Sequence, residues 1–124
     1  MPRFVVLRHD GPRGLHWDFM LEMGQGLATW ALDRAPDAAG PIPAKALPEH
    51  RLAYLDFEGP LSGDRGAVSR WDRGSCELRI QTDSEVIAAL CGEKLEGQAA
   101  LRCSAAGRWE FSFLPRLKPL TTTG

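Results

Sequence analysis

His9, His16 and Asp18 lie within one ten-residue stretch, in the run Leu7-Arg8-His9-Asp10-Gly11-Pro12-Arg13-Gly14-Leu15-His16-Trp17-Asp18-Phe19-Met20-Leu21-Glu22. These are residue types that hold a metal ion or pass a proton. Two of the chain's three histidines fall here; the third, His50, follows in His50-Arg51-Leu52-Ala53-Tyr54. On a strand, alternate residues point to the same side, so His16 and Asp18 share one face while Trp17 and Phe19 turn to a core. An imidazole and a carboxylate aligned this way can share a cation with His9 from the preceding segment. Nitrogen and oxygen donors without thiolates suit manganese, zinc or iron rather than copper(I) or an iron–sulfur cluster. A plainer reading stands beside this one: an ordinary hydrogen-bonded His–Asp pair at the surface. Two histidines and one aspartate fall short of the closed Cys/His sets of structural zinc sites.

The elements that must position these residues read as strands. Phe4–Leu7 is a short β-branched run. Leu15–Met23 alternates with a period of two, the clearest strand signal in the chain, and Gly24-Gln25-Gly26 turns it into a returning strand over Leu27–Leu32. Asp33–Pro48 carries four prolines and reads as a loop, neither a helix nor a central strand. Arg51–Phe57 reads as a strand, followed by turns at Glu58-Gly59-Pro60 and Ser62–Gly66. Two further strands, 67–72 and 75–80, flank a hairpin-sized break at Arg73-Gly74. Ser84 suits the N-cap of a short helix over Glu85–Cys91 with Gly92 as its stop. Gly97–Cys103 and Arg108–Leu114 are the last strands. The expected fold is therefore mainly β: a compact antiparallel β-barrel of about seven to nine short strands with one short helix. It forms one domain over residues 1–114, with 115–124 as a flexible tail.

A chain of 124 residues can bury a core without disulfides. Its 15 Lys and Arg against 16 Asp and Glu exclude a generic polyanion binder, so any nucleic-acid contact must come from local clustering of cations. Cys76, Cys91 and Cys103 are odd in number and lack a C-x-x-C spacing. They read as buried free thiols in a reducing compartment. No apolar run approaches membrane-spanning length, and the apolar part of Met1–Arg8 is too short for a signal peptide. A soluble, cytoplasmic protein is expected.

Four motifs in order carry a resemblance: Leu15-His16-Trp17-Asp18-Phe19-Met20-Leu21-Glu22 after His9, Trp30-Ala31-Leu32-Asp33-Arg34-Ala35-Pro36, His50-Arg51-Leu52-Ala53-Tyr54-Leu55-Asp56-Phe57-Glu58-Gly59, and Gly66-Ala67-Val68-Ser69-Arg70-Trp71-Asp72-Arg73-Gly74. Over residues 4–114 the chain resembles the 3′-phosphoesterase domain of bacterial DNA ligase D, a module that heals DNA ends. The resemblance implies a β-barrel that uses a divalent metal, Mn2+ before Zn2+, to remove 3′-phosphates or 3′-terminal ribonucleotides in end repair. It implies His9, His16 and Asp18 as metal ligands. His50 would contact or protonate the scissile phosphate, supported by Tyr54. The implied partners are DNA 3′ ends and a separate ATP-dependent ligase or polymerase, with no membrane.

The chain departs from the pattern where the family holds phosphate. The family's arginine two residues past the aspartate is Met20 here, an apolar thioether that cannot bind phosphate. Arg34, Arg13, Lys45 and Arg51 are the cations available to replace it, and Met20→Arg is expected to raise activity if the pocket is family-like. Two other readings remain open: a non-catalytic metal- or DNA-end-binding module, and a hydrolase of a smaller phosphoester.

Overall fold

In a computed structural model, which describes residues 1–117, nine strands form one antiparallel sheet. They are β1 (Arg3–Gly11), β2 (Gly14–Met23), β3 (Gly26–Leu32), β4 (Ile42–His50), β5 (Gly59–Pro60), β6 (Ala67–Gln81), β7 (Glu85–Gly92), β8 (Glu96–Cys103) and β9 (Trp109–Pro115). The order is β1-β2-β3-β4-β9-β8-β7-β6-β5, and β1 also pairs with β6, so the sheet closes into a barrel-like ring. Among the described residues no helix is long and apolar enough to cross a membrane. The expected tail lies mostly outside the described residues; Pro115 still belongs to β9.

Alternation along the strands fills the ring. Phe4 and Val6 of β1, Phe19 and Leu21 of β2, and Phe111 of β9 point inward with Leu101 of β8. The alternate residues of the first strands are not left to solvent. Val5, Leu7, Met20, Leu27 and Val68 form a second apolar cluster on the outer face, closed over by Leu55 with Tyr54, Phe57 and Leu61. Burial on both faces explains why Phe4–Leu7 reads as an unbroken apolar run.

Four expectations are corrected. Glu85–Gly92 is strand β7 rather than a helix: Val86, Ile87, Ala88 and Leu90 are buried between β6 and β8. Ser84 caps nothing; its backbone N–H, like that of Glu85, donates to Thr82 Oγ1 in the turn before β7. The proline-rich stretch contains β4, which lies between β3 and β9. Pro43 turns its backbone edge to Asp33, just past the end of β3, and Pro48 falls where the β3 register slips, so both sit where the ladder ends or is irregular. Arg51–Phe57 is not a strand; it holds a 3-10 turn at Leu52–Leu55 that brings Leu55 down onto the outer cluster. Finally, β6 runs unbroken through Arg73-Gly74, leaving β1 at Ser75 and meeting β7 from Gly74. Gly74 permits that crossing, since a side chain there would collide with the Cys91 carbonyl.

The thiols also divide. Cys76 is buried in the ring, and desolvation, aided by Glu22, pushes its thiol up to about 11. Cys91 is exposed and Cys103 half-buried, so only one of the three matches the expected burial. All three are free. Near pH 8 Cys76 holds on the order of 100-fold less thiolate than an ordinary cysteine. A thiol-reactive dye is therefore expected to label Cys91 rapidly in the native protein and Cys76 only after denaturant is added. Peptide mapping of the labelled sites checks this.

Candidate metal and phosphoester site

The β1–β2 hairpin turns at Pro12-Arg13 and sets His9 directly opposite His16. Their rings lie 4.4 Å apart between centroids. Asp18, two residues past His16, faces Leu7 and is only 3% exposed. Its Oδ2 is 3.1 Å from His9 Nδ1, and its Oδ1 is 3.0 Å from His16 Nε2. The second approach is close but poorly aimed: Oδ1 is buried and has no hydrogen-bond partner. A buried carboxylate oxygen without a partner is costly. The short contact with Asp18 nevertheless raises the His16 imidazole above its ordinary value; burial works against this, and the charges of Asp18 and Asp33 add to it.

The other nitrogen of His9 restricts what the cluster can be. His9 Nε2 lies 2.7 Å from the Arg65 carbonyl, which can only accept, so Nε2 carries a proton. Nδ1 is then the ring nitrogen that faces the Asp18 carboxylate, and a lone pair set against a carboxylate oxygen is a place for a cation. An imidazole whose outer N–H is held by a backbone carbonyl is the arrangement found around histidine metal ligands. One donor atom from each of His9, His16 and Asp18 lies within 4.8 Å of the others. Donors around one ion at about 2.0–2.2 Å sit up to about 4.4 Å apart, so a small inward shift suffices. The residues present fit a divalent ion with two nitrogen donors, one oxygen donor and an open side.

The remaining candidates distribute along the same outer face. Asp18 faces Ala31 of β3, and Ala31 faces Lys45 of β4, so Lys45 stands in the same row, about 10 Å away across two strand spacings. His50 faces Leu27, four residues further along β3, or about 13 Å of strand. It is not among the clustered donors. Its Nδ1 donates to the Pro48 carbonyl at 2.8 Å, and Tyr54 meets its ring edge-on at 5.4 Å. Arg51 lines a cleft with Tyr54 and Arg65. Arg13 is at the exposed hairpin tip beyond the His9–His16 pair. Arg34 lies past the end of β3 and donates to the Pro41 carbonyl at 2.6 Å, bracing the loop before β4.

Two residues were not signalled by the sequence. Arg65 matters through a backbone carbonyl, which side-chain identity does not reveal. Arg70 faces Leu7 from β6 and so joins the Asp18 row from the other side; its Nε is buried without a partner, and its Nη1 is 3.5 Å from Glu58. Only the strand register brings Arg70 to this face.

Met20 does not line the cluster. It is 1% exposed and packed with Val5, Leu7, Leu27, Leu55 and Val68. An arginine there would set a charge among these apolar side chains, so a loss rather than a gain is predicted for Met20→Arg. The substitution is expected to cost about 3–5 kcal/mol of stability and bring no activity. Met20→Leu, which conserves volume, should cost less than about 1.5 kcal/mol. Urea titrations of the two variants separate these outcomes.

Comparison with known proteins identifies the family of the chain. Residues 7–102 match the DNA Ligase D 3′-phosphoesterase domain. The chain is 37% identical over 127 aligned positions to the multifunctional non-homologous end joining protein LigD of Pseudomonas aeruginosa, covering 94% of this chain. It is 34% identical to the Mycobacterium tuberculosis protein of that kind and 30% to the Mycolicibacterium smegmatis one, each over 86% of this chain. It spans only 15–16% of the length of these relatives. With most of its length matched, the chain belongs to the DNA ligase D 3′-phosphoesterase domain family.

Proposed function

We propose that the chain is a divalent-metal-dependent phosphoesterase that processes DNA 3′ ends in end joining, removing a 3′-phosphate or a 3′-terminal ribonucleotide. The observation that carries this reading is Asp18: a buried carboxylate with one unpartnered oxygen, held between two imidazoles, in a chain of this family. His9, His16 and Asp18 would hold the ion, Mn2+ by preference and Zn2+ otherwise. Bound there, it would polarise a phosphoryl oxygen and lower the pKa of its water. Lys45, in the Asp18 row, supplies a cation for the phosphate oxygens in place of the missing arginine. Arg13 stands at the hairpin tip for the flanking backbone. His50, with Nδ1 committed to Pro48, keeps Nε2 free to exchange a proton with the leaving group, and Tyr54 supports its ring. The DNA end is the partner, with a ligase or polymerase to use the healed product.

A second reading, a metal- or DNA-end-binding module without turnover, is favoured by two observations: Met20 buried in apolar surroundings, and the distance along β3 between His50 and Asp18. A primer–template bearing a 3′-phosphate or a 3′-terminal ribonucleotide decides between them. Product with Mn2+, none with chelator, and none from Asp18→Ala is expected. Metal binding through Asp18 without product from either end would leave the binding module, and small phosphoesters would be tried next.

A further inference from the structure

A cleft of about 170 Å³ opens beside the cluster, lined by Arg51, Tyr54, Phe57, Leu61, Ser62 and Arg65 among others. Its floor is aromatic and apolar: Tyr54 and Phe57 meet edge to face at 5.8 Å, and with Leu61 they rest on the outer cluster. Its rim is cationic. Neither Arg51 nor Arg65 forms an ion pair among the described residues. Arg65 is held in place instead. Its Nε donates to the Ser62 carbonyl at 2.8 Å and its Nη2 to Ser62 Oγ at 3.0 Å, so the guanidinium is fixed at the cleft edge. The same residue's carbonyl receives the His9 N–H. One residue thus forms the wall between cleft and cluster.

We infer that this cleft seats a single unpaired nucleobase at the DNA end, the terminal nucleotide whose phosphate lies over His9, His16 and Asp18. The inference rests on the reading above and adds what the protein grips. Flat aromatic and guanidinium surfaces accept any base by stacking, and unpaired arginines favour an adjoining phosphodiester. The cleft is too small for duplex. Recognition is therefore of an end that frays or is single-stranded, and it tolerates base identity.

The test uses the chelator-treated 124-residue chain and a fluorescent primer–template. The 3′-terminal nucleotide carries either a base or an abasic analogue with the same backbone. The wild type is expected to bind the base-bearing end about 5- to 100-fold more tightly, the range that one stacked base supplies. Arg65→Ala leaves the carbonyl to His9 in place and should shrink that preference several-fold. Equal affinity of the wild type for both ends overturns the inference. So does a preference that Arg65→Ala leaves untouched, which would put the base elsewhere. Because the metal is absent, the result is independent of turnover: a base preference without any metal-dependent product would sink the phosphoesterase reading and leave the cleft standing, and product without preference would do the reverse.

Discussion

Asp18→Asn is expected to abolish the response to metal while leaving the chain folded. The substitution keeps the shape of the side chain. Its amide can donate to the His9 Nδ1 lone pair, so the buried position stays satisfied once the charge is gone. In the wild type, Mn2+ at about 100 times its Kd should add about 2.7 kcal/mol to stability, seen as a raised Tm. The asparagine variant should melt at the same temperature with and without the ion. Turnover should fall by at least about 100-fold, since disturbing even the outer partners of a metal ligand costs 10- to 100-fold. A variant that still gains stability from Mn2+ would show that the ion binds elsewhere. His16→Ala extends the test, because His16 reaches the other oxygen of the carboxylate.

Asp72→Ala is expected to be among the most damaging single changes to the fold. Asp72 is 1% exposed on β6 and works as a turn-holder for its neighbours. Its Oδ1 accepts from the backbone N–H groups of Arg73, Glu93 and Lys94 at 2.8–3.0 Å, and its Oδ2 accepts from Leu95 at 2.7 Å. These bonds fix the turn between β7 and β8, where Gly92 also donates to the Leu95 carbonyl. Alanine removes four charge-assisted bonds and leaves the buried Leu95 N–H without a partner. The expected loss is about 3–5 kcal/mol in urea unfolding. Asp72→Asn keeps Oδ1 but sets an NH2 against the Leu95 donor, so it should fall between the two. A loss below about 1 kcal/mol would mean that the turn holds itself.

How much of this was legible follows from where each signal resides. The hairpin that carries His9, His16 and Asp18 announced itself, because one face of β2 is polar at its start and the other is apolar throughout. The second apolar cluster did not. Met20 and Leu55 are distant in sequence, and nothing local says that Leu52–Leu55 coils back over β2. The same hidden cover made Met20 look like a lost phosphate ligand when it is a packing residue. Strand β7 reads as a helix because Ser84 and Gly92 suit both a capped helix and a strand between turns, and only pairing with β6 and β8 decides. Pro43 and Pro48 argue against β4, yet one faces the chain just past the end of β3 and the other its register slip, which leaves room for both. The side-chain donors could thus be read, whereas the carbonyl that orients His9 could not.

That carbonyl ties a rigid feature to a soft one. His9 and His16 stand on paired strands, which open only in near-global unfolding. The rotation of the His9 ring, by contrast, is set by a tight loop over Ser62–Gly66, pinned at its neck where Leu61 donates to the Gly66 carbonyl. Asp64 within that loop takes a left-handed φ of 54°. Such loops open at far lower free energy than the strands beneath them. The imidazole therefore keeps its position while losing its aim whenever the loop breathes. In hydrogen-exchange terms the hairpin amides would be slow and those of 62–66 fast, and the fast set would time how often His9 is free to turn.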